Sequence, residues 1–486
     1  MSAGDDDESG EHKRICFCCV GDEFLSKRVQ NEGVIAKCSY CSDAEEPTFT
    51  IDAMADCVET AFQQHYVRTS TQPSLMQYAM LADKESDYQW EREGELVESA
   101  IADAASIERE AATDIGEILA KRFGDWDAMV VGEETEFAND SYYERKAPGS
   151  GRWLADWDSF EKSLKTEARF FSQSAARHLA ELFEGLDKIM ARGRKPVLVE
   201  AGPACALVSL YRARSFPRYG DMNDALARPD RHLGPPPAEV ARAGRMNAHG
   251  ISVFYGASDP LVALAEVRPP VGCDVAVARF DVIRSLTLLD LNAMREAISQ
   301  GSVFDPAYLD RLQRAAFLRK LSDRITVPVM PDDEDLGYLV TQAVADYLAT
   351  AQEPAVDGII FPSVQAKGEA YNVVLFHKAS RVRPMELPPG TRIVVNEGYA
   401  SEDRWEADYS VFEYTPPQLV QAEADQASPH LPISNDHIDP SNFDAREMTL
   451  EVDPKSLEVH TINAVSYQTD RNRLRRHRFE DRQSSF

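Results

Sequence analysis

The sequence predicts an α+β protein with a cysteine knuckle at its start, a mostly helical segment after it and a strand-bearing segment beyond. Three observations carry this. Four cysteines form two CxxC pairs within residues 16–41. From about residue 50 to 195, apolar residues recur at three and four, the helical period. Farther on, short runs rich in β-branched and aromatic residues are broken by glycine and proline, as strands are. A chain of 486 residues is expected to hold more than one domain. The divisions read as 1–13 disordered, 14–50 knuckle, 51–194 helical, 195–380 strand-bearing and 381–486 a C-terminal extension.

The first residues, MSAGDDDESGEHKR, are acidic and lack the apolar core of a secretory signal. Five of the eight cysteines then fall in residues 16–41. Cys16-x2-Cys19 and Cys38-x2-Cys41 are separated by the eighteen residues 20–37. Two such pairs suit a tetrahedral Zn2+ site of four thiolates, which leaves no open position and so is structural. A redox CxxC or disulfides are the alternative, disfavoured in a cytosolic chain. Cys18 is a spare that can replace Cys16 or Cys19, and Cys57, Cys205 and Cys273 read as isolated core residues.

Three helical stretches follow: DAMADCVETAFQQHYV, then 94–123 (GELVESAIADAASIEREAATDIGEILAKRF), then 159–190 (SFEKSLKTEARFFSQSAARHLAELFEGLDKIM). The loop ERKAPGSGR at 144–152 separates the last two.

The densest chemistry lies in residues 234–268. Ile251–Ala257, ISVFYGA, reads as a buried strand. Ser258-Asp259-Pro260 offers an N-cap and a proline at the first helical position. The helix is expected over Pro260–Val267, with Leu261, Leu264 and Ala265 facing the core and Glu266 off that stripe, reaching a cleft. Arg245, in the turn Gly244-Arg245-Met246-Asn247, can offer a planar fork to a pyrophosphate. An Arg and a Glu this close also make an ordinary salt bridge, and a lone tyrosine such as Tyr255 serves a core as readily as a ligand. Leu207–Arg214, LVSLYRAR, is a second strand, ending in Tyr211-Arg212-Ala213-Arg214. Val356–Val364 is a third, stopping at Pro362-Ser363. Polar residues at the ends of buried strands are where α/β sheets tend to place chemistry, although a serine there can also cap a turn.

Tyr211-Arg212, Gly244-Arg245-Met246-Asn247, Tyr255, Ala263-Leu264-Ala265-Glu266 and Phe361-Pro362-Ser363, in this order, resemble the RES domain, named for its Arg, Glu and Ser. The resemblance covers roughly residues 195–380. It implies a fold related to ADP-ribosyltransferases around an NAD cleft. RES proteins are typically toxins of bacterial toxin–antitoxin pairs. They consume NAD by glycohydrolysis or phosphorolysis, or transfer ADP-ribose to a target, and their antitoxin is a helical protein with a DNA-binding domain. The resemblance places Glu266, Arg245 and Ser363 in catalysis and Arg212, Tyr211, Tyr255 and Asn247 on NAD. It further implies a homo-oligomer or an antitoxin-bound state. The Pro- and Arg-rich insert 215–243 departs from compact RES toxins, where this interval is shorter, and reads as a lid or an adaptation to another target.

The knuckle and helical segment look like the N-terminal domain attached to RES domains and related to HEPN bundles. Active HEPN domains carry Arg-x4–6-His. Residues 50–195 lack it: Arg169 and His178 are too far apart, and Arg177 and His178 are adjacent. RNA cleavage is therefore disfavoured, and the bundle reads as a scaffold or regulator.

Asp+Glu 81 against Lys+Arg 52 gives a net charge of −29, which disfavours nucleic acid as the main partner and suits a cytoplasmic protein. No run of eighteen apolar residues suggests a membrane span. Residues 414–445 read as a linker, 448–468 as strand-like, and RNRLRRHR as a basic tail. The leading expectation is an NAD-consuming toxin or defence effector. The alternatives are a mono-ADP-ribosyltransferase acting on protein or nucleic acid, and an inactive nucleotide-sensing module.

Overall fold

The computed structural model describes residues 13–41, 45–83, 87–216, 219–327, 329–330, 333–363, 365, 370–400, 405–416, 444–466 and 469–478. The fold is α+β. The chain divides into two compact units, Met1–Val197 with Asn292–Val327, and Leu198–Leu291 with Pro328–Phe486. Of the segment expected to be disordered, only Lys13 is among the described residues. Its ammonium is fixed on Asp114 at 2.9 Å.

In the first unit, strands Arg14–Cys16, Glu46–Thr50 and Val34–Ala36 form a small sheet with Glu46–Thr50 in the middle. A tight turn of 3-10 helix, Phe17–Cys19, carries the first CxxC. Helix Glu23–Glu32 is capped by Asp22, whose carboxylate accepts from the Leu25 N–H. Ile15, Val20, Leu25 and Val29 pack with Met54, Val58, Phe62, Ile101, Ile115 and Leu119. Knuckle and helices thus share one core.

The second expected helical stretch is two helices, Val97–Ala105 and Arg109–Arg122, because Ser106 turns left-handed (φ 52°) at the first one's end. The third is also two, Gly151–Thr166 and Gln173–Phe183. Apolar periodicity runs through both breaks, so it could not mark them. Segment 292–327 adds helix Tyr308–Thr326, and Phe304 and Tyr308 enter the same core.

The second unit is built on an eight-stranded sheet in the order Leu450–Thr461, Asp274–Val282, Ser209–Phe216, Phe254–Ala257, Tyr371–Leu375, Gly358–Pro362, Leu286–Asp290, Leu198–Ala201. The eight strands make seven neighbouring pairs, all antiparallel except Leu286–Asp290 with Gly358–Pro362. One side packs Leu210, Phe254, Phe280 and Val373. The other packs Ala213, Ala257, Val275 and Val277 against helix Pro260–Glu266.

That helix begins as expected, with Asp259 accepting from the Leu261 N–H and proline in the first turn. Its buried face is shifted, with Leu264 packed on the cluster as expected. Val262 and Ala263 are buried, while Leu261 is 65 % exposed. Seven residues make barely two turns, too few for periodicity to fix a face.

The helical part of the insert is packed into its unit. Met222, Ala225, Leu226 and Leu233 lie in the main core of this unit. The basic tail 471–478 is exposed and forms neither helix nor strand, and most of the expected linker, 417–443, lies outside the described residues. Among the described residues, no helix is long and apolar enough to cross a membrane.

Candidate functional site

Glu266 is the last residue of its helix and reaches back to the sheet. Its Oε1 accepts two hydrogen bonds, from Ser363 Oγ at 2.7 Å and from Asn372 Nδ2 at 2.8 Å. Oε2 accepts none among the described residues, so the two donors fix one oxygen and leave the other available. Ser363 itself stands just past Gly358–Pro362, where its N–H still donates to Ala370 O. Sequence reasoning did not single out Asn372. It sits in Tyr371–Leu375 between Ala257 and Phe361, and is buried. One signal was present: a lone amide inside an apolar strand must find a partner.

Tyr255 and Asn247 form a second group. The Tyr255 hydroxyl donates to Asn247 Oδ1 at 2.9 Å and accepts from the Met246 N–H at 3.0 Å. Asn247 Nδ2 bonds the carbonyls of Arg242, Ala248 and Ile251. Asn247 is therefore spent on holding its loop, and Tyr255 offers a ring rather than a hydroxyl. A Cβ on Gly244 would stand 2.7 Å from Asn247 Oδ1 and 2.9 Å from the Tyr255 hydroxyl, so only glycine lets the turn close.

This loop carries Arg245. Burial pulls its guanidinium below the ordinary value, and Tyr338, Tyr255 and Glu266 act against that pull. Arg245 thus lies within electrostatic reach of the Glu266 cluster. Its guanidinium also sits 5.8 Å from the centroid of the Tyr338 ring.

Strands Ser209–Phe216 and Phe254–Ala257 pair at one position only, Tyr211 with Ala257. Beyond it a cleft of about 840 Å³ opens, lined by Arg212, Tyr255 and Asn247 and walled by the insert. Glu266, Arg245 and Ser363 are not among its lining residues. Tyr211 packs instead with Ala257 and Val262 under the helix. Arg212 crosses the Phe254 ring at 5.0 Å, and its buried Nη1 has no hydrogen-bond partner among the described residues. Burial, and then the neighbouring charge of Arg214, hold this guanidinium down at about 10. A buried donor without a partner is costly, so an acceptor supplied by a ligand fits here.

In the first unit, the Sγ atoms of Cys16, Cys19, Cys38 and Cys41 lie within 4.8 Å of one another. The N–H groups of Cys16 and Tyr40 both point at Cys38 Sγ, at 3.4 Å. Burial works to raise the Cys38 thiol, but these donors prevail and bring it to about 7. Four converging sulfurs with thiolate-favouring donors can hold a metal ion. Cys18 is exposed and outside the cluster, so it replaces neither Cys16 nor Cys19.

Fold and site together define an α+β protein in which Glu266, at a helix end, accepts from Ser363 and Asn372 at two neighbouring strands, with Arg245 in electrostatic reach. The comparison with known families agrees. The RES domain model matches residues 209–396, and HEPN/RES N-terminal domain 1 matches residues 31–178. The chain thus carries a RES domain and, ahead of it, a HEPN-like N-terminal domain. No curated protein and no solved structure matches it.

Proposed function

We propose that the second unit consumes NAD by breaking the nicotinamide–ribose bond, as a glycohydrolase or phosphorylase. The observation that carries this is Glu266, with one carboxylate oxygen held by Ser363 and Asn372 and the other accepting no hydrogen bond among the described residues. The C1′–N bond breaks, and its electron pair leaves with neutral nicotinamide. The sugar becomes oxocarbenium-like, and the free oxygen of Glu266 stabilises that charge or holds a ribose hydroxyl. Water then bonds through its oxygen to C1′ and releases a proton, giving ADP-ribose. If phosphate adds instead, the product is the ADP-ribose 1-phosphate.

Arg212 and Arg245 orient the substrate through its pyrophosphate. Tyr255 presents its ring to the nicotinamide or its ribose. Asn247 acts by holding the Arg245 loop, Tyr211 by packing the helix under the strand, and Ser363 by aiming Glu266. In the cell this chemistry suits a toxin or defence effector restrained by an antitoxin. We assign Zn2+ to Cys16, Cys19, Cys38 and Cys41, where four thiolates give the ion a structural role.

The test is NAD loss by the purified chain, with Glu266→Gln alongside and phosphate present or absent. Loss in the wild type and at least a hundredfold less in the variant is expected. Equal loss in both would overturn the role of Glu266. Labelling of an added protein or nucleic acid, without free ADP-ribose, would replace this reading with ADP-ribosyl transfer.

A further inference from the structure

Helix Pro260–Glu266 ends on a backbone conformation that arginine rarely adopts. Val267 is its C-cap, and the next residue, Arg268, turns left-handed with φ 44°. The Arg268 N–H donates back to Ala265 O at 3.2 Å. Glycine is the usual occupant of this position, because a Cβ is crowded there. Pro269 follows, and a residue before proline prefers extended backbone. The turn at Arg268 is therefore disfavoured twice, and glycine would relieve part of the strain. Such strain persists only where the surrounding structure imposes it, and here it keeps a guanidinium at the end of the Glu266 helix.

That side chain closes a ring of hydrogen bonds. Arginine carries donors only, so the Gln365 amide turns its oxygen toward Arg268. So oriented, it accepts from Arg268 Nη2 at 2.9 Å and from Nε at 3.3 Å. The Gln365 N–H donates to Ser363 Oγ at 3.2 Å, and Ser363 Oγ donates to Glu266 Oε1 at 2.7 Å. Arg268 and Glu266 are two residues apart at the helix end, and Gln365 and Ser363 are two apart beyond their strand. The chain itself thus completes the ring on both sides. With the Gln365 N–H on its oxygen, the Ser363 hydroxyl directs its one proton to Glu266. Asn372 holds the same carboxylate oxygen from the neighbouring strand, but it does not hold Ser363. Arg268 and Gln365 are both exposed, where a contact adds little to stability. What the contact supplies is geometry.

Resting on the NAD-cleaving reading of this site, we propose that Arg268 is a positioning residue: through Gln365 and Ser363 it fixes Glu266 Oε1, so that Oε2 is presented to the ribose. Arg268 touches no reacting atom. It acts at the end of a chain of three contacts, each of which removes a rotation from the next. Among the four members of the ring, Arg268 is the one whose replacement by glycine relaxes the backbone. Loss of turnover on that change therefore separates positioning from folding.

The test is steady-state NAD loss and thermal melting of the full chain, for the wild type, Arg268→Gly, Gln365→Ala and the double variant. Arg268→Gly is expected to melt no lower than the wild type, since glycine takes positive φ freely. It is nevertheless expected to lose about tenfold in kcat, with KM within roughly twofold. Gln365→Ala is expected to lose as much, and the double variant no more than either, because both changes break one contact. An unchanged kcat in Arg268→Gly, or losses that multiply in the double variant, overturns the proposal. A rise in KM at constant kcat overturns it as well, and puts Arg268 on the substrate. Hydrogen exchange of the Gln365 amide, resolved by fragmentation mass spectrometry, gives a readout free of turnover. Arg268→Gly is expected to speed this exchange severalfold. A chain that leaves NAD intact but shows the faster exchange keeps Arg268 as the anchor of Glu266 and overturns the NAD reading. Unchanged exchange in Arg268→Gly overturns the ring and leaves the NAD reading standing.

Discussion

The chemistry rests on single atoms. Glu266 Oε1 holds two donors, and each has a distinct origin: Ser363 from the end of one strand, Asn372 from the middle of its neighbour. Removing either lets the carboxylate turn. Misplacement of a reacting group by about 1 Å can cost roughly a hundredfold. Asn372→Ala is therefore expected to lower kcat for NAD loss by about ten- to a hundredfold with little change in KM. Steady-state kinetics on this variant and Ser363→Ala would check it, and a rise in KM at constant kcat would assign Asn372 to substrate binding instead. Arg, Glu and Ser were legible in the sequence because each stands in a recognisable local motif. Asn372 was not, because it reaches Glu266 across 106 residues through strand register alone. Asn247 was legible as a motif residue, yet its bonds to three loop carbonyls form only in the folded turn.

At the scale of elements, short segments depend on their ends. Helix Pro260–Glu266 has seven residues, too few to be stable by itself, and Asp259 caps it. Asp259→Ala is expected to cost about 1 kcal/mol and to reduce activity with it, since the far end of the helix carries Glu266. Thermal melts and NAD loss on one preparation would show whether the two fall together. The helix start was legible, from Asp259-Pro260. Its buried face was not, because the sheet above it and not the period selects Val262 and Ala263.

Helix Gln173–Phe183 carries a titrating counterpart. His178 lies 5.4 Å from Phe160 and 6.1 Å from Trp157 between ring centroids, and its buried Nε2 has no partner among the described residues. Burial lowers its pKa below 6.5, and burial lowers that of His65 in the same unit as well. The unfolded chain then takes up protons that the folded unit refuses. Stability is complete above pH 6.5 and is lost as pH falls from there through the folded values. A melting temperature that drops between pH 6.5 and 5, with a shallower drop in His178→Leu, is the expected result. A pH-independent melt would show that these rings are neutral in both states or charged in both.

For the whole molecule, the question is which distant segments each unit needs. In the first unit the knuckle residues Ile15, Val20, Leu25 and Val29 share a core with the helices. Removing the ion proposed for the four cysteines, or Cys38→Ser, is expected to loosen that core as a whole, because metal binding to such sites is coupled to folding. Limited proteolysis with and without a chelator would reveal cleavage within 51–122 as well as within the knuckle. The sequence showed the cysteine pattern plainly but not this dependence, which arises from packing.

The second unit needs its C-terminal extension. The RES match ends at residue 396, yet Leu450–Thr461 is an edge strand of the central sheet. It pairs with Asp274–Val282 at eight positions and interrupts the ladder once, between Val277 and Arg279. Leu450 and Val452 are buried in the main core, and Arg279 reaches Asp453 at 2.8 Å. Without this strand, Asp274–Val282 would expose a nine-residue strand edge, and such edges pair with other chains. A chain ending at residue 447 is therefore expected to aggregate and to lose NAD-cleaving activity, although every residue of the Glu266 cluster and the Arg212 cleft remains. Adding a peptide of residues 448–463 should restore soluble protein if strand pairing is the cause. A truncated chain that is soluble and fully active would mean that the sheet closes without its eighth strand.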